Sequence, residues 1–130
     1  MSILGMKESI MFNKSCELCG MILDLTELLD KKGKKNIANQ LEKSSTSISA
    51  NISEAGSSES INDFIHKLKV ASKESNETFF WLKLIEKRKI AEIEKEIYPL
   101  LDEVQKMLSK SISTASYNEE IRKQLRKKSP

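Results

Sequence analysis

Residues 40–84 read QLEKSSTSISANISEAGSSESINDFIHKLKVASKESNETFFWLKL, and this stretch decides the fold. It contains two segments of helical character, separated by the short break at residues 56–58. In each segment, apolar and small residues recur at alternating spacings of four and three, which places them on one helical face. The first face comprises Ile37, Leu41, Ser44, Ile48, Asn51 and Ala55, and the second comprises Phe64, Leu68, Ala71, Ser75, Thr78, Leu82 and Ile85. Because small side chains shorten the distance between helix axes, the stretch predicts two closely packed helices.

Both helices have definable ends. The first should run from about Lys34 to Ala55, and its run of hydroxyl residues at 44–47 must place some of them against a neighbour. The second should begin at Ser60, which is suited to cap the helix because an acidic residue follows three positions later, and continue to about Lys87.

A further helix is predicted on each side of this pair. The upstream helix should run from Lys7 or Ser9 to Asp30 and end at a glycine in the left-handed conformation, Gly33. The downstream helix should span about 91–114, with Pro99 causing either a bend or a restart near Tyr98. With four Gly, two Pro and almost no β-branched alternation, the sequence predicts an all-α protein, an antiparallel up-down-up-down four-helix bundle.

Charge divides the 130 residues into two parts. Residues 117–130 hold five cations and two acids, whereas residues 1–116 hold equal numbers of each. We therefore expect a bundle at 1–116 and a basic C-terminal tail at 117–130 whose last residues are disordered. Neither a secretory signal nor an apolar run long enough to cross a membrane is visible, which favours a cytoplasmic protein.

Seven of the remaining cations lie in two predicted loops, which an up-down-up-down bundle brings to the same end. They are Lys31, Lys32, Lys34 and Lys35 in the first loop and Lys87, Arg88 and Lys89 in the third. Two interpretations stay open: complementation of the helix dipoles, or a surface that binds phosphates. The tail adds five candidate phosphate contacts, Arg122, Lys123, Arg126, Lys127 and Lys128.

Polar residues on the predicted faces raise the question of a metal or acid–base site. Asn51 and Glu54 are one turn apart, as are Glu74 and Glu77 on the next helix. A di-iron bundle needs Glu-x-x-His motifs, and the one histidine, His66, is not three residues after a glutamate. We interpret the four residues as a structural polar network.

The cysteine pair Cys16 and Cys19 forms a lone C-x-x-C within a helical pattern, which we interpret as two partly buried thiols. The sequence therefore predicts no metal, no cofactor and no catalytic residues. Three consecutive aromatic residues, Phe79 to Trp81, span about 200° of a helix surface. Either one of them is exposed or a second buried face exists.

Residues 47–55, Ser-Ile-Ser-Ala-Asn-Ile-Ser-Glu-Ala, resemble the signature S-I-x-x-N-I-x-E followed by alanine or glycine of a four-helix-bundle protein family. This family includes proteins encoded in intervening sequences of bacterial large-subunit ribosomal RNA genes and resembles the accessory protein of diversity-generating retroelements. A second block, residues 63–65 and 71–82, is similar to the family pattern d-F-I…a-x-K-E-x-x-E-T-x-x-W-L. The likeness covers roughly Lys14 to Ile112.

The resemblance implies a homopentameric ring and, in the retroelement branch, binding of nucleic acid and of a reverse transcriptase. Lys43 stands where the family usually has arginine and joins the candidate nucleic-acid contacts. The sequence thus predicts a non-enzymatic, oligomeric scaffold that contacts RNA or DNA without sequence specificity. The alternative is a protein–protein interaction module, with no nucleic-acid role, whose basic tail binds an acidic partner.

Overall fold

The computed structural model describes residues 3–128, with side chains from Ile10 onward. Four α-helices follow one another along the chain: α1 at Ile3–Lys31, α2 at Lys35–Ala55, α3 at Ile61–Lys87 and α4 at Ile97–Lys127. Each packs against the two helices beside it in a closed cycle, while the diagonal pairs α1–α3 and α2–α4 stay further apart. The predicted all-α four-helix bundle is confirmed.

The helix ends follow the capping chemistry of the sequence. The Ser60 side chain accepts a hydrogen bond from the Asp63 backbone N–H at 3.1 Å, as predicted for the start of α3. Gly33 has φ 78°, and the Lys34 N–H donates to the Leu29 carbonyl at 2.9 Å, which closes α1 with the predicted left-handed turn. α1 begins earlier than predicted, at Ile3.

The predicted bounds of the fourth helix were wrong at both ends. α4 begins at Ile97 instead of about 91, so Pro99 is its third residue. In the first turn of a helix the backbone N–H has no intrahelical acceptor, so a proline there costs no hydrogen bond and causes no bend. α4 thus starts close to Tyr98, where a restart was predicted, but the residues from 91 to 96 before it are not helical. α4 then continues to Lys127, which makes residues 117–127 helical; Ser129 and Pro130 lie outside the described residues.

The core is built from the two predicted faces together with the inner faces of α1 and α4. Its largest fully buried side chains include Leu18, Ile22 and Leu29 from α1 and Leu101 from α4. Hydroxyl groups are buried among them. Thr78 donates its hydroxyl hydrogen with two acceptors in reach, Ser44 Oγ and its own helix's Glu74 carbonyl, both at 2.9 Å.

The other two sequential helix pairs have comparable contacts. Ser49 of α2 donates to Ser15 of α1 at 3.0 Å. Gln105 of α4 donates to Ser75 of α3 at 3.2 Å. Gln105 also donates to Asn76 of α3 at 3.1 Å. Each of these bonds joins side chains of facing helices, so together they favour one register for the bundle.

Substitution of Ser44 tests the close approach of α2 and α3. Ser44→Leu adds two heavy atoms at a position that is fully buried against Thr78, which forces the helices apart. We expect the free energy of unfolding to fall by about 1–3 kcal/mol, measured by urea denaturation. Thr46→Leu is the matched control, because Thr46 belongs to the same hydroxyl run and is exposed. Equal effects at the two positions would contradict close packing at Ser44.

Candidate nucleic-acid interface

The loop between α1 and α2 and the loop between α3 and α4 meet at one end of the bundle, which we call the loop end. Lys32 from the loop between α1 and α2 and Lys89 from the loop between α3 and α4 line one shallow depression of about 600 Å³. All seven cations predicted for these loops are exposed. Acids that the sequence did not bring to this end also lie there: Glu86 and Glu92 line the same depression. The loop end is therefore a mixed surface with an excess of positive charge.

The helix dipoles explain only some of these cations. Lys31 and Lys87 lie in the last turns of α1 and α3, where positive charge complements the negative end of the helix. Lys34 and Lys35 instead lie at the start of α2, next to its positive end, and no acid occupies the first turn of α2. Lys34 also provides no side-chain cap. Positive charge at these two positions opposes the α2 dipole, so complementation of the helix dipole does not explain these two lysines.

The loop between α3 and α4 is held by a contact network centred on Tyr98. The Tyr98 hydroxyl donates to Glu86 Oε2 at 2.7 Å. The Lys83 ammonium lies 4.6 Å from the centre of the Tyr98 ring, and Phe79 meets this ring edge-to-face at 6.2 Å. The hydrogen bond from Tyr98 lowers the pKa of Glu86, whereas burial and the Glu86 charge raise the pKa of Tyr98. None of this network was predicted from the sequence.

The third loop also contains an unusual backbone conformation. Lys89 has φ 54°, and the Ile90 N–H donates to the Ile85 carbonyl at 3.0 Å, as in the turn at Gly33. The same helix-ending geometry thus occurs in both loops. In the third loop Lys89 has the left-handed conformation that usually requires glycine. No sequence pattern indicates it.

The cations of the C-terminal tail lie at the opposite end of the bundle. α4 runs away from the loop end, and Arg122 is roughly 40 Å along the helix from its start, at 1.5 Å per residue. Arg126 pairs with the buried Glu119 at 3.1 Å. Lys43 lies apart from both groups, exposed in the middle of α2. The candidate contacts therefore form two separate basic ends and one isolated lysine.

The four residues of the predicted polar network are not joined into one network by hydrogen bonds among the described residues. The Asn51 side-chain amide donates to the Ser47 carbonyl of its own helix at 2.8 Å. Glu54 pairs with Lys67 of α3 at 3.2 Å. Glu74 and Glu77 do interact: partial burial, followed by the neighbouring Glu77 charge, raises the pKa of Glu74.

Metal-ligand chemistry is not assembled in the part of the chain that the structure describes, where no group of three or more His, Cys, Asp or Glu side chains could hold an ion. Cys16 is exposed and Cys19 is half-buried, and both are free thiols. Burial raises the pKa of Cys19, which lowers the thiolate fraction at neutral pH. Among the described residues, no helix is long and apolar enough to cross a membrane.

These features define a class: an antiparallel four-helix bundle with cationic ends. The family model described as 23S rRNA-intervening sequence protein matches residues 7–110. The chain belongs to this family. Among solved structures, it is similar to a protein of unknown function from the S23 ribosomal protein family of Bacteroides thetaiotaomicron VPI-5482, with 34% identity and a TM-score of 0.77. The match covers 82% of this chain and 98% of the other. No curated protein matches the chain.

The Tyr98–Glu86 hydrogen bond predicts a pH-dependent contribution to stability. Because the pKa of Glu86 is lowered in the folded protein, the contribution is present above the ordinary carboxyl pKa and is lost as the pH falls through the lowered value. Tyr98→Phe should therefore reduce the free energy of unfolding more at pH 7 than at pH 3, measured by urea denaturation. A penalty that is the same at both pH values would show that Glu86 ionisation does not matter to the contact.

Proposed function

We propose that the protein is a non-enzymatic, oligomeric scaffold that contacts nucleic acid through its loop end without reading base sequence. The observation that carries this proposal is the position of Lys34 and Lys35. Two exposed lysines beside the positive end of α2 work against the helix dipole, but they suit an anion that the same helix end also attracts. Phosphate is the anion that such a basic surface encounters in nucleic acid.

The chemistry of the loop end suits the backbone of nucleic acid better than its bases. Six of the seven cations are lysines on flexible side chains, in the two loops and at the helix ends beside them, and the loop end offers no helix or strand that could enter a groove lengthwise. The names of the family and of the solved relative refer to ribosomal RNA and to a ribosomal protein family, which keeps RNA within the scope of the proposal. A reverse transcriptase or another protein partner stays a prediction from the resemblance.

An oligomer would repeat this surface. The aromatic residues of α3 provide a candidate contact, because Phe80 is 54% exposed on the outer face of the helix and meets Trp81 edge-to-face at 4.9 Å. The oligomer expected from the resemblance is a homopentameric ring. If its subunits are parallel, the loop ends of all copies lie on the same side of the ring. Phosphate contacts would then add along one strand, which raises affinity without any new kind of contact.

The proposal includes no catalytic step. Among the described residues the paired carboxylates Glu74 and Glu77 repel each other on a helix surface, and His66 is exposed on α3 without a hydrogen bond or ion pair. Catalysis would need a nucleophile, a base and a group that orients the base, all within hydrogen-bond distance.

Assembly can be tested at Phe80. Phe80→Lys places a charge where a neighbouring copy would pack and should turn the wild-type oligomer into a monomer, measured by light scattering coupled to size exclusion. Leu23→Lys is the control, because Leu23 is also an exposed apolar residue but lies on α1. Circular dichroism establishes that each variant is folded. A wild-type monomer at micromolar concentration would rule out the oligomer.

Nucleic-acid contact can be tested by its dependence on salt. The wild-type affinity for RNA and duplex DNA should fall steeply as salt rises, because each neutralised phosphate releases a counterion, with a slope of about −0.9 per contact on duplex DNA. Replacing Lys31, Lys32, Lys34 and Lys35 by Gln should make the slope shallower on every sequence. Replacing the exposed Lys69 and Lys110, which lie along helix faces, should leave it unchanged. Absence of binding by the folded wild type at low salt would remove this function.

A further inference from the structure

The C-terminal part of α4 lies beyond the residues that the family model matches. The family match ends at residue 110, and α4 continues to Lys127. Within this extension, the outward face of α4 changes character. It is polar from Asp102 to Thr114, then carries Tyr117, Ile121 and Leu125 at successive spacings of four. We call these three exposed residues the C-terminal stripe; Tyr117 is 67% and Ile121 38% exposed.

The extension is anchored to the bundle on its inner side. Ala115 and Glu119 are buried, and Glu119 accepts a hydrogen bond from Arg126 at 3.1 Å. This ion pair spans about two turns of α4 and holds the end of the helix in place. The helix that a partner would bind on its outer side is already formed. The free energy of binding is therefore not reduced by the entropy cost of ordering this helix.

The C-terminal stripe is narrow and has cations on both sides. At about 100° per residue, its three members drift over about 80°, and the polar residues Asn118 and Gln124 border it. Arg122 and Lys127 lie about 100–120° from Ile121 on opposite sides, and the exposed Glu120 lies on the same side as Lys127. One line of apolar residues between charges is the arrangement by which one helix contacts another. A helix lying in a membrane surface needs a broader apolar face.

A shallow groove beside the C-terminal stripe extends this surface. It has a volume of about 640 Å³ and lies between the end of α4 and the start of α3, with Ile61, Arg122, Leu125 and Arg126 among its lining residues. Glu59 and Glu119 also line the groove, and Arg126 is paired with Glu119, so Arg122 is the arginine that a partner's carboxylate can meet there while an apolar side chain contacts Ile61. The groove and the C-terminal stripe thus both suit an apolar side chain beside a carboxylate.

We propose that the C-terminal stripe is a docking surface for an acidic amphipathic helix of a partner protein. Apolar residues of that helix pack on Tyr117 and Ile121, and its flanking carboxylates pair with Arg122 and Lys127. Charge complementarity selects this partner: the same extension on a second copy carries the same cations and would be repelled. RNA phosphates would pair with the cations, but the aliphatic side chains of Ile121 and Leu125 would add little to the affinity for RNA. The proposal goes beyond the loop-end function and does not depend on assembly.

The probe is a synthetic amphipathic helix of about 20 residues, long enough to be helical in water, with a leucine seam flanked by glutamates. One control peptide has lysines in place of the glutamates, and another has glutamines in place of the leucines. Binding of the full-length protein is measured by fluorescence anisotropy. We expect the acidic peptide to bind and both control peptides to bind at least about tenfold more weakly.

Matched variants locate the contact. Ile121→Gln should weaken binding of the acidic peptide about tenfold, whereas Leu23→Gln, at 37% exposure, should leave it unchanged. Lys127→Gln should weaken it and Lys110→Gln should not. Tyr117→Gln provides a second variant of the C-terminal stripe at a highly exposed position, in case Ile121→Gln alters folding as judged by circular dichroism.

Two outcomes would overturn the proposal. The first is that Ile121→Gln and Tyr117→Gln both bind the acidic peptide as tightly as the wild type does. The second is binding of RNA or anionic lipid vesicles that depends on Ile121 as strongly as binding of the acidic peptide does. Loss of RNA binding through the loop-end variants alone would leave this proposal standing, so the two functions can fail separately.

Discussion

The contact between Ser44 and Thr78 is the constraint on which the rest of the bundle depends. Both side chains are fully buried where α2 meets α3, and their oxygens lie 2.9 Å apart. A buried hydroxyl without a partner costs about 1–3 kcal/mol, so displacing one helix along the other would be penalised twice, by the lost hydrogen bond and by larger residues brought into the close contact. The pair therefore fixes how far α2 and α3 can slide.

From this register the charge distribution follows. Because successive helices run in opposite directions, the first and third loops lie at one end, and the cations of those loops come together there. Along the sides of the bundle acids and bases are mixed, and residues 15–30 of α1 hold four acids and no base. A polyanion therefore meets favourable charge at the ends and repulsion beside α1.

The parts of the structure that the sequence predicts are those set by local chemistry or by periodicity. The faces of α2 and α3, the Ser60 cap and the turn at Gly33 each depend on residues a few positions apart. The parts it misses depend on contacts between distant residues. Burial of Glu119 requires Arg126 and the end of the bundle, and the left-handed Lys89 requires a loop whose path Tyr98 and Glu86 hold. The start of α4 was predicted too early because the apolar residues upstream of it belong to the loop, where Ile90 and Ile93 pack against the core without being helical.

The three aromatic residues of α3 also separate by their contacts. Phe79 is accounted for within the chain, because it contributes to the Tyr98 network that holds the third loop. Trp81 is half-buried and packs against the core. Phe80 has an edge-to-face contact with Trp81 but leaves more than half of its surface in water, where neither packing nor helix propensity favours phenylalanine. Two residues of the aromatic run therefore have their contacts within the single chain, and Phe80 is the one that a neighbouring copy would cover in the proposed oligomer.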